Sequence, residues 1–201
     1  MGKMIVIEGM DGAGTTTQSQ LLLDYLNKIG LKAIKSAEPT KSPFGQEIRK
    51  WLATPIEKEP YLLTMLALAF AADRMHHVHH TLAPALKSYD FLIVDRYVLS
   101  SLVYQGLHLP NAYITEINRF ALIPDVTLVL DISAKEAINR LGERASDKDF
   151  YETKPTLEKI RARYLHFVDQ DLEHLVLIDA SGSIEQVHNQ IVSVVKRRFH
   201  I

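Results

Sequence analysis

At 201 residues, with 47% hydrophobic and 23% charged residues and only nine glycines and eight prolines, the chain is long enough to bury a core and too apolar to stay disordered. A formal net charge of -1 leaves no overall basic field for duplex DNA, so nucleic acid is not an expected partner and any nucleotide must be gripped locally. Cysteine is absent, which excludes disulfides, thiolate catalysis and cysteine-ligated metals; no run of ~18 uncharged apolar residues occurs, and the N-terminal apolar run Met4–Ile7 is too short for a signal, so a cytoplasmic chain with no membrane segment is expected.

In chain order, Met4–Ile7 reads as a strand. Thr16–Ile29 then reads as a helix, with Leu21, Leu22, Tyr25, Leu26 and Ile29 on one face and Gly30 at the position of a C-terminal glycine. Lys32–Ser36 is a weaker strand, and Tyr61–Leu82 a helix of broad apolar face with Pro84 just past its end. Phe91–Val94, Val126–Leu130 and Leu175–Ile178 are further strands, and Lys154–Leu172 and Ile184–Phe199 further helices. Strands that read as continuous Ile, Val and Leu suit a parallel sheet buried on both faces. The expectation is therefore one α/β domain over 1–201, in three layers, with a five-stranded parallel sheet, its first strand central and helices on both faces. The polar stretch Ser146–Lys154 reads as a mobile loop.

The stretch Gly9, Met10, Asp11, Gly12, Ala13, Gly14, Thr15, Thr16, Thr17 has the spacing of a P-loop directly after the first strand. Glycines let the backbone turn tightly and aim N–H groups at phosphate oxygens, and the helix that follows adds its dipole. Thr16 stands where a hydroxyl ligates Mg2+, but Thr15 stands where the pattern requires lysine. A lost cationic contact to a developing transition-state charge costs ~2–4 kcal/mol. A glycine-rich turn can also merely join strand to helix. At the end of the third strand, Asp95 can hold Mg2+ or its water and Arg96 can point a guanidinium fork at phosphate; a strand-end aspartate can equally cap the next helix.

Taken together, GMDGAGTTTQ, AEPTKSPFGQEIR, FAADRMHHV, DRYVLSSLVYQG, PDVTLVLDIS and VLIDASGSIEQV resemble the successive blocks of thymidylate kinases, P-loop nucleoside monophosphate kinases, over essentially the whole chain. The resemblance implies transfer of the ATP γ-phosphoryl group to dTMP with Mg2+, in a homodimer. It places Asp11 near the 3′-hydroxyl of the acceptor deoxyribose, Phe70 on thymine, Arg74 on the base, Arg96 on the acceptor phosphate, and Ser101, Tyr104 and Gln105 on the base and sugar side of the same pocket. By itself Phe70 in an apolar helix reads as well as core packing. It also implies a lid at 142–153, with Arg140 and Arg144 before or within it, and Lys148 inside it, as cations delivered on closure.

Two departures stand out: Ala37 precedes Glu38-Pro39 where the family usually has arginine, and Phe150 sits where the lid usually has arginine. With Thr15, they leave a second reading open, a nucleotide-binding protein of the same fold with little catalytic power. Of the cluster His76, His77, His79 and His80, the first and last share a helical face at metal-binding spacing, but no third ligand is identifiable, and a packed or surface cluster is expected. Lys196-Arg197-Arg198 suits a solvated last helical turn.

Overall fold

A computed structural model of the chain describes residues 2–53, 59–142, 153–171 and 173–201. Its strands are β1 (Lys3–Gly9), β2 (Ala33–Ala37), β3 (Phe91–Asp95), β4 (Val126–Asp131) and β5 (Leu175–Asp179), all parallel, in the order β2-β3-β1-β4-β5. The strand that leads into the glycine-rich loop is central, as its unbroken apolar run requires. Its alternate residues separate to two layers: Ile5 and Ile7 join a cluster with Leu22 and Leu26, and Met4 and Val6 one with Leu82, Ala85 and Leu86. On β3, Phe91 and Ile93 divide from Leu92 and Val94 in the same way.

The described helices are α1 (Thr15–Lys28), α2 (Pro43–Leu52), α3 (Pro60–His77), α4 (Ala83–Ser88), α5 (Val98–Tyr104), α6 (Asn111–Ile117), α7 (Ala134–Leu141), α8 (Lys154–Gln170) and α9 (Ile184–Phe199). At the end of α1, Gly30 takes φ +87°, Leu31 N–H reaches Leu26 C=O at 3.1 Å and Gly30 N–H reaches Asn27 C=O at 3.0 Å, a paired closure that only a left-handed residue allows. The short helix α2, with Phe44, Ile48, Trp51 and Leu52 at helical spacing, was not among the expected elements; Ser42 Oγ starts it by accepting Gly45 N–H at 3.1 Å.

Pro84 corrects one expectation. Rather than lying beyond a helix ending at Leu82, it falls in the first turn of α4, which continues α3 through a π-turn at Val78–Leu82. A widened turn accommodates the missing N–H and the ring of a proline that would break a regular ladder. The expected lid falls outside the described residues except for Gly142 and Thr153. Among the described residues, no helix is long and apolar enough to cross a membrane.

From β1 the chain crosses to β2 on one side, whereas from β3 it crosses to β4 on the other. Between two neighbouring strands whose connections diverge, a crevice opens at their C-terminal ends, the usual ligand position in open α/β sheets. Register puts Ile7 beside Asp95, so the loop after Gly9 and the Asp95-Arg96 turn face each other across that crevice. Ile93, fully buried in the middle of β3, anchors this arrangement. Ile93→Ala should lower the unfolding free energy by about 2–5 kcal/mol through lost burial and the cavity left behind; urea denaturation checks it, and a change below about 1 kcal/mol would contradict the packing described.

Candidate functional site

The loop from Gly9 to Gly14 folds tightly over the sheet's C-terminal edge. Ala13 N–H closes onto Met10 C=O at 3.0 Å, and Met10 and Ala13 are buried, so the apolar positions anchor the loop while its backbone faces the crevice. Gly12 has φ +83°, and a Cβ there would lie 2.7 Å from Ala137 C=O, so the loop seats directly on α7. The first intrahelical bond of α1 runs from Gln18 N–H to Gly14 C=O at 2.9 Å, leaving the amides of Thr15, Thr16 and Thr17 without intrahelical acceptors. Such a group of N–H donors at a helix start suits phosphate oxygens. Thr15 is buried, and the only side chain it brings is neutral.

Across the crevice, Thr16 Oγ donates to Asp95 Oδ2 at 2.6 Å, and Asp95 Oδ1 is buried with no partner among the described residues. A carboxylate oxygen buried without a donor is costly unless something else meets it. A hydroxyl, one carboxylate and open positions for phosphate and water are the donor set of a magnesium site, which typically takes only one or two carboxylates. The residues thus fit Mg2+. Among the described residues no group of three or more His, Asp or Glu side chains could hold a metal by itself; His76 and His80 stack with ring centroids 4.3 Å apart.

Asp11, Thr16, Phe70, Arg74, Asp95, Arg96, Ser101, Tyr104 and Gln105, drawn from three separate stretches of sequence, all line one cavity of about 330 Å3. Within it Arg96 is the charged focus. Its guanidinium donates to Asp11 Oδ1 at 2.7 Å, Tyr104 Oη at 3.2 Å and Ser100 Oγ at 3.4 Å. Tyr104 donates in turn to Asp11 Oδ2 at 3.1 Å, and burial raises its pKa so that the phenol keeps its proton. The backbone of Arg96 has φ +65°, a conformation that a branched or long L-residue holds only when its surroundings impose it.

Arg74, for which the resemblance implies a contact to the base, belongs to the cavity wall. It lines the cavity, yet it is 1% exposed and its donors already meet Glu38 Oε2 (2.9 Å), Asn118 Oδ1, Tyr97 C=O (3.2 Å) and Ser101 Oγ (3.1 Å). Four of its five N–H groups therefore have acceptors in the protein. Arg140 donates to the carbonyls of Ala180 (2.8 Å) and Ser181 (3.4 Å), beyond the end of β5. Arg144 and Lys148 lie outside the described residues.

Four residues in the site's framework escaped the sequence reading. Glu8, fully buried, accepts from Tyr97 N–H, Ser100 N–H, Ser100 Oγ and Tyr164 Oη. Glu38 joins Arg74 to His77 Nδ1 at 3.0 Å. Asp73 accepts from Thr40 N–H (2.7 Å), Thr40 Oγ (2.6 Å) and Ser42 Oγ (2.6 Å), fixing the turn that begins at the cis Glu38–Pro39 bond. Tyr164 brings α8 to the end of β1. The available signal was a carboxylate closing an apolar strand at Glu8 and one inside an apolar helix at Asp73, since buried acids are kept only with partners.

The Arg74–Glu38 pair, with side chains 1% and 3% exposed, makes a direct test. Removing one member leaves a buried charge unpaired, so Arg74→Met should cost about 3–5 kcal/mol of stability, while Arg74→Met with Glu38→Gln should recover part of that loss. Chemical denaturation of the three variants measures it; a single substitution as harmless as the pair would contradict the buried ion pair.

Comparison with known proteins identifies the family. The family model described as thymidylate kinase matches residues 7–191. The chain is 40% identical over 199 residues to a probable thymidylate kinase of Methanococcus aeolicus, covering 96% of this chain and 95% of that one. It is 38% identical over 205 residues to a probable thymidylate kinase of Thermococcus gammatolerans, covering 98% and 97%. Against the thymidylate kinase of Symbiobacterium thermophilum the identity is 36% over 208 residues, covering 99% and 97%. With a parallel sheet whose central strand feeds the glycine-rich loop, a cavity at the crevice between β1 and β3, and relatives matched from end to end, the chain belongs to the thymidylate kinase family.

Proposed function

We propose that the protein transfers the γ-phosphoryl group of ATP to dTMP, giving ADP and dTDP. The observation that carries this reading is the convergence of Thr16 and Asp95 with the acceptor-side residues Asp11, Phe70, Arg96, Tyr104 and Gln105 on one cavity beside the phosphate loop. Backbone amides of residues 9–17 hold the donor phosphates. Thr16 and Asp95 would hold Mg2+, which when bound would supply positive charge to offset the negative charge gathering as the γ-phosphorus parts from the leaving β-phosphate oxygen. Arg96 orients the acceptor phosphate, one of whose oxygens attacks the γ-phosphorus. Asp11 accepts from the 3′-hydroxyl of the deoxyribose. Phe70 supplies a face for the base, and Gln105 Oε1, buried without a partner among the described residues, is an acceptor suited to a pyrimidine N–H.

A coupled assay of ADP release with dTMP, dUMP, dCMP, dGMP and AMP tests the assignment. The expected order has dTMP first; a preference for any other acceptor overturns it. In the same assay Asp95→Asn should lower kcat by about 10²-fold, the scale of a lost transition-state charge contact.

The second reading, a binder with little turnover, rests on Thr15 and Ala37, which leave the site without two cations that the family usually carries. Calorimetric binding of dTMP or ATP with no measurable turnover would favour it. If the loop works as proposed, Thr15→Lys raises kcat about 10²-fold, because an ammonium there meets the charge gathering between the β- and γ-phosphates. No change in kcat would remove the electrostatic argument. Arg140, Arg144 and Lys148 are the cations proposed to compensate, and Arg144→Ala in both backgrounds separates compensation from its absence.

We further propose a homodimer. Along α3, Tyr61 (86% exposed), Met65 (40%) and Leu68 (47%) recur at i, i+4, i+7 and form an apolar stripe on the outside of the molecule. A light-scattering mass near 22.8 kDa at micromolar concentration would rule the dimer out.

A further inference from the structure

We infer that Glu8 is a positioning residue for the acceptor site, a buried carboxylate that fixes the turn carrying Arg96 and ties helix α8 to it. The inference rests on the acceptor-site reading above. Glu8 itself is fully buried and is not among the residues that face the cavity. It acts through others.

The geometry is that of a helix cap supplied from a different strand. Tyr97, at the N-cap of α5, makes no side-chain cap of its own. Instead Glu8 Oε1 accepts Tyr97 N–H at 2.8 Å and Ser100 N–H at 3.0 Å, two of the amides that a helix start leaves unmet. Glu8 Oε2 accepts Ser100 Oγ at 2.5 Å and lies 3.0 Å from Tyr164 Oη, whose single proton serves either this oxygen or Gly9 C=O at 3.2 Å.

Arg96 is bracketed by these bonds. On its N-terminal side Arg96 N–H holds Ile7 C=O at 2.9 Å, and on its C-terminal side Glu8 holds the next amide. Between the two anchors Arg96 keeps its φ of +65°, which aims the guanidinium at Asp11 and Tyr104. Without the second anchor, an unfavoured backbone conformation has less to impose it.

All four groups around the carboxylate are donors, so the ionised form is the one that the pocket is built for. Burial pushes the Glu8 carboxyl above the usual carboxylate range, while the Ser100 hydroxyl, the Arg96 guanidinium and the two amides favour its charge. Tyr164 adds a long-range link. It is 3% exposed and sits on α8, the helix that follows residues 143–152, so the end of β1, the start of α5 and the body of α8 share one carboxylate.

A positioning role separates from a structural one in the kinetics of the two substrates. In Glu8→Gln, which keeps the shape but replaces one acceptor oxygen by a donor, KM for dTMP should rise about tenfold or more and kcat fall, with KM for ATP within about twofold of wild type. Tyr164→Phe should show a smaller rise for dTMP alone, and adding it to Glu8→Gln should cost little more, because the two act through one contact. If KM for both substrates moves together, or dTMP kinetics stay at wild-type values in Glu8→Gln and Tyr164→Phe, the inference is overturned. Should Glu8→Gln fail to fold, Ser100→Ala and Tyr164→Phe decide: a selective rise in KM for dTMP supports the role, and unchanged values refute it. Wild-type protein that does not phosphorylate dTMP would instead sink the acceptor-site reading, and this inference with it.

Discussion

Lateral pairing of β1 with β3, with Ile7 beside Asp95, sets the glycine-rich loop opposite the Asp95-Arg96 turn. A slip of one residue in that register would carry Asp95 away from Thr16 and exchange the two faces of β3, moving Ile93 and Val94 into each other's layers. The pairing is enforced from both sides, since alternate residues of both strands serve different apolar clusters and none of them is free to face water. The loop, the metal-type pair and the arginine turn are therefore consequences of packing that is itself remote from any ligand.

Around the crevice the charged groups divide into those turned to the cavity and those that hold the wall. Arg96, Asp11 and Asp95 belong to the first group. Glu8 and Asp73 belong to the second, each accepting two or more hydrogen bonds from groups distant in sequence. Glu38 belongs to both, as does Arg74, which lines the cavity while its donors hold Glu38, Asn118, Tyr97 and Ser101 together. Its second task explains why an arginine that faces a binding cavity can be almost wholly buried: the partners it meets replace the water that it has lost.

Much of this was legible in the sequence, for identifiable reasons. Strands β1 and β3 carry the unbroken apolar runs Met4–Ile7 and Phe91–Val94, and β4 is interrupted only by Thr127; doubly covered parallel strands leave that trace. Phosphate-loop spacing and the aspartate that closes β3 are local, so they could be read along the chain. What escaped is what depends on groups far apart in sequence. Glu8 finds Tyr97 and Ser100 about ninety positions later and Tyr164 beyond those, and nothing in MIVIEG says which way its carboxylate turns. The π-turn at Val78–Leu82 escaped for a different reason: it alters which carbonyl each amide meets, and side-chain periodicity carries no record of that.

The bond from Thr16 to Asp95, made at 2.6 Å between two protein groups, has a thermodynamic consequence. It joins the start of α1 to the end of β3 through the protein itself, so the two sides of the crevice belong to one body. Association of a nucleotide then need not restrain these two segments against each other, and the entropy of that restraint was surrendered when the chain folded. Heat released on binding should in consequence report on the contacts of the nucleotide itself more than on ordering of the loop and the strand end.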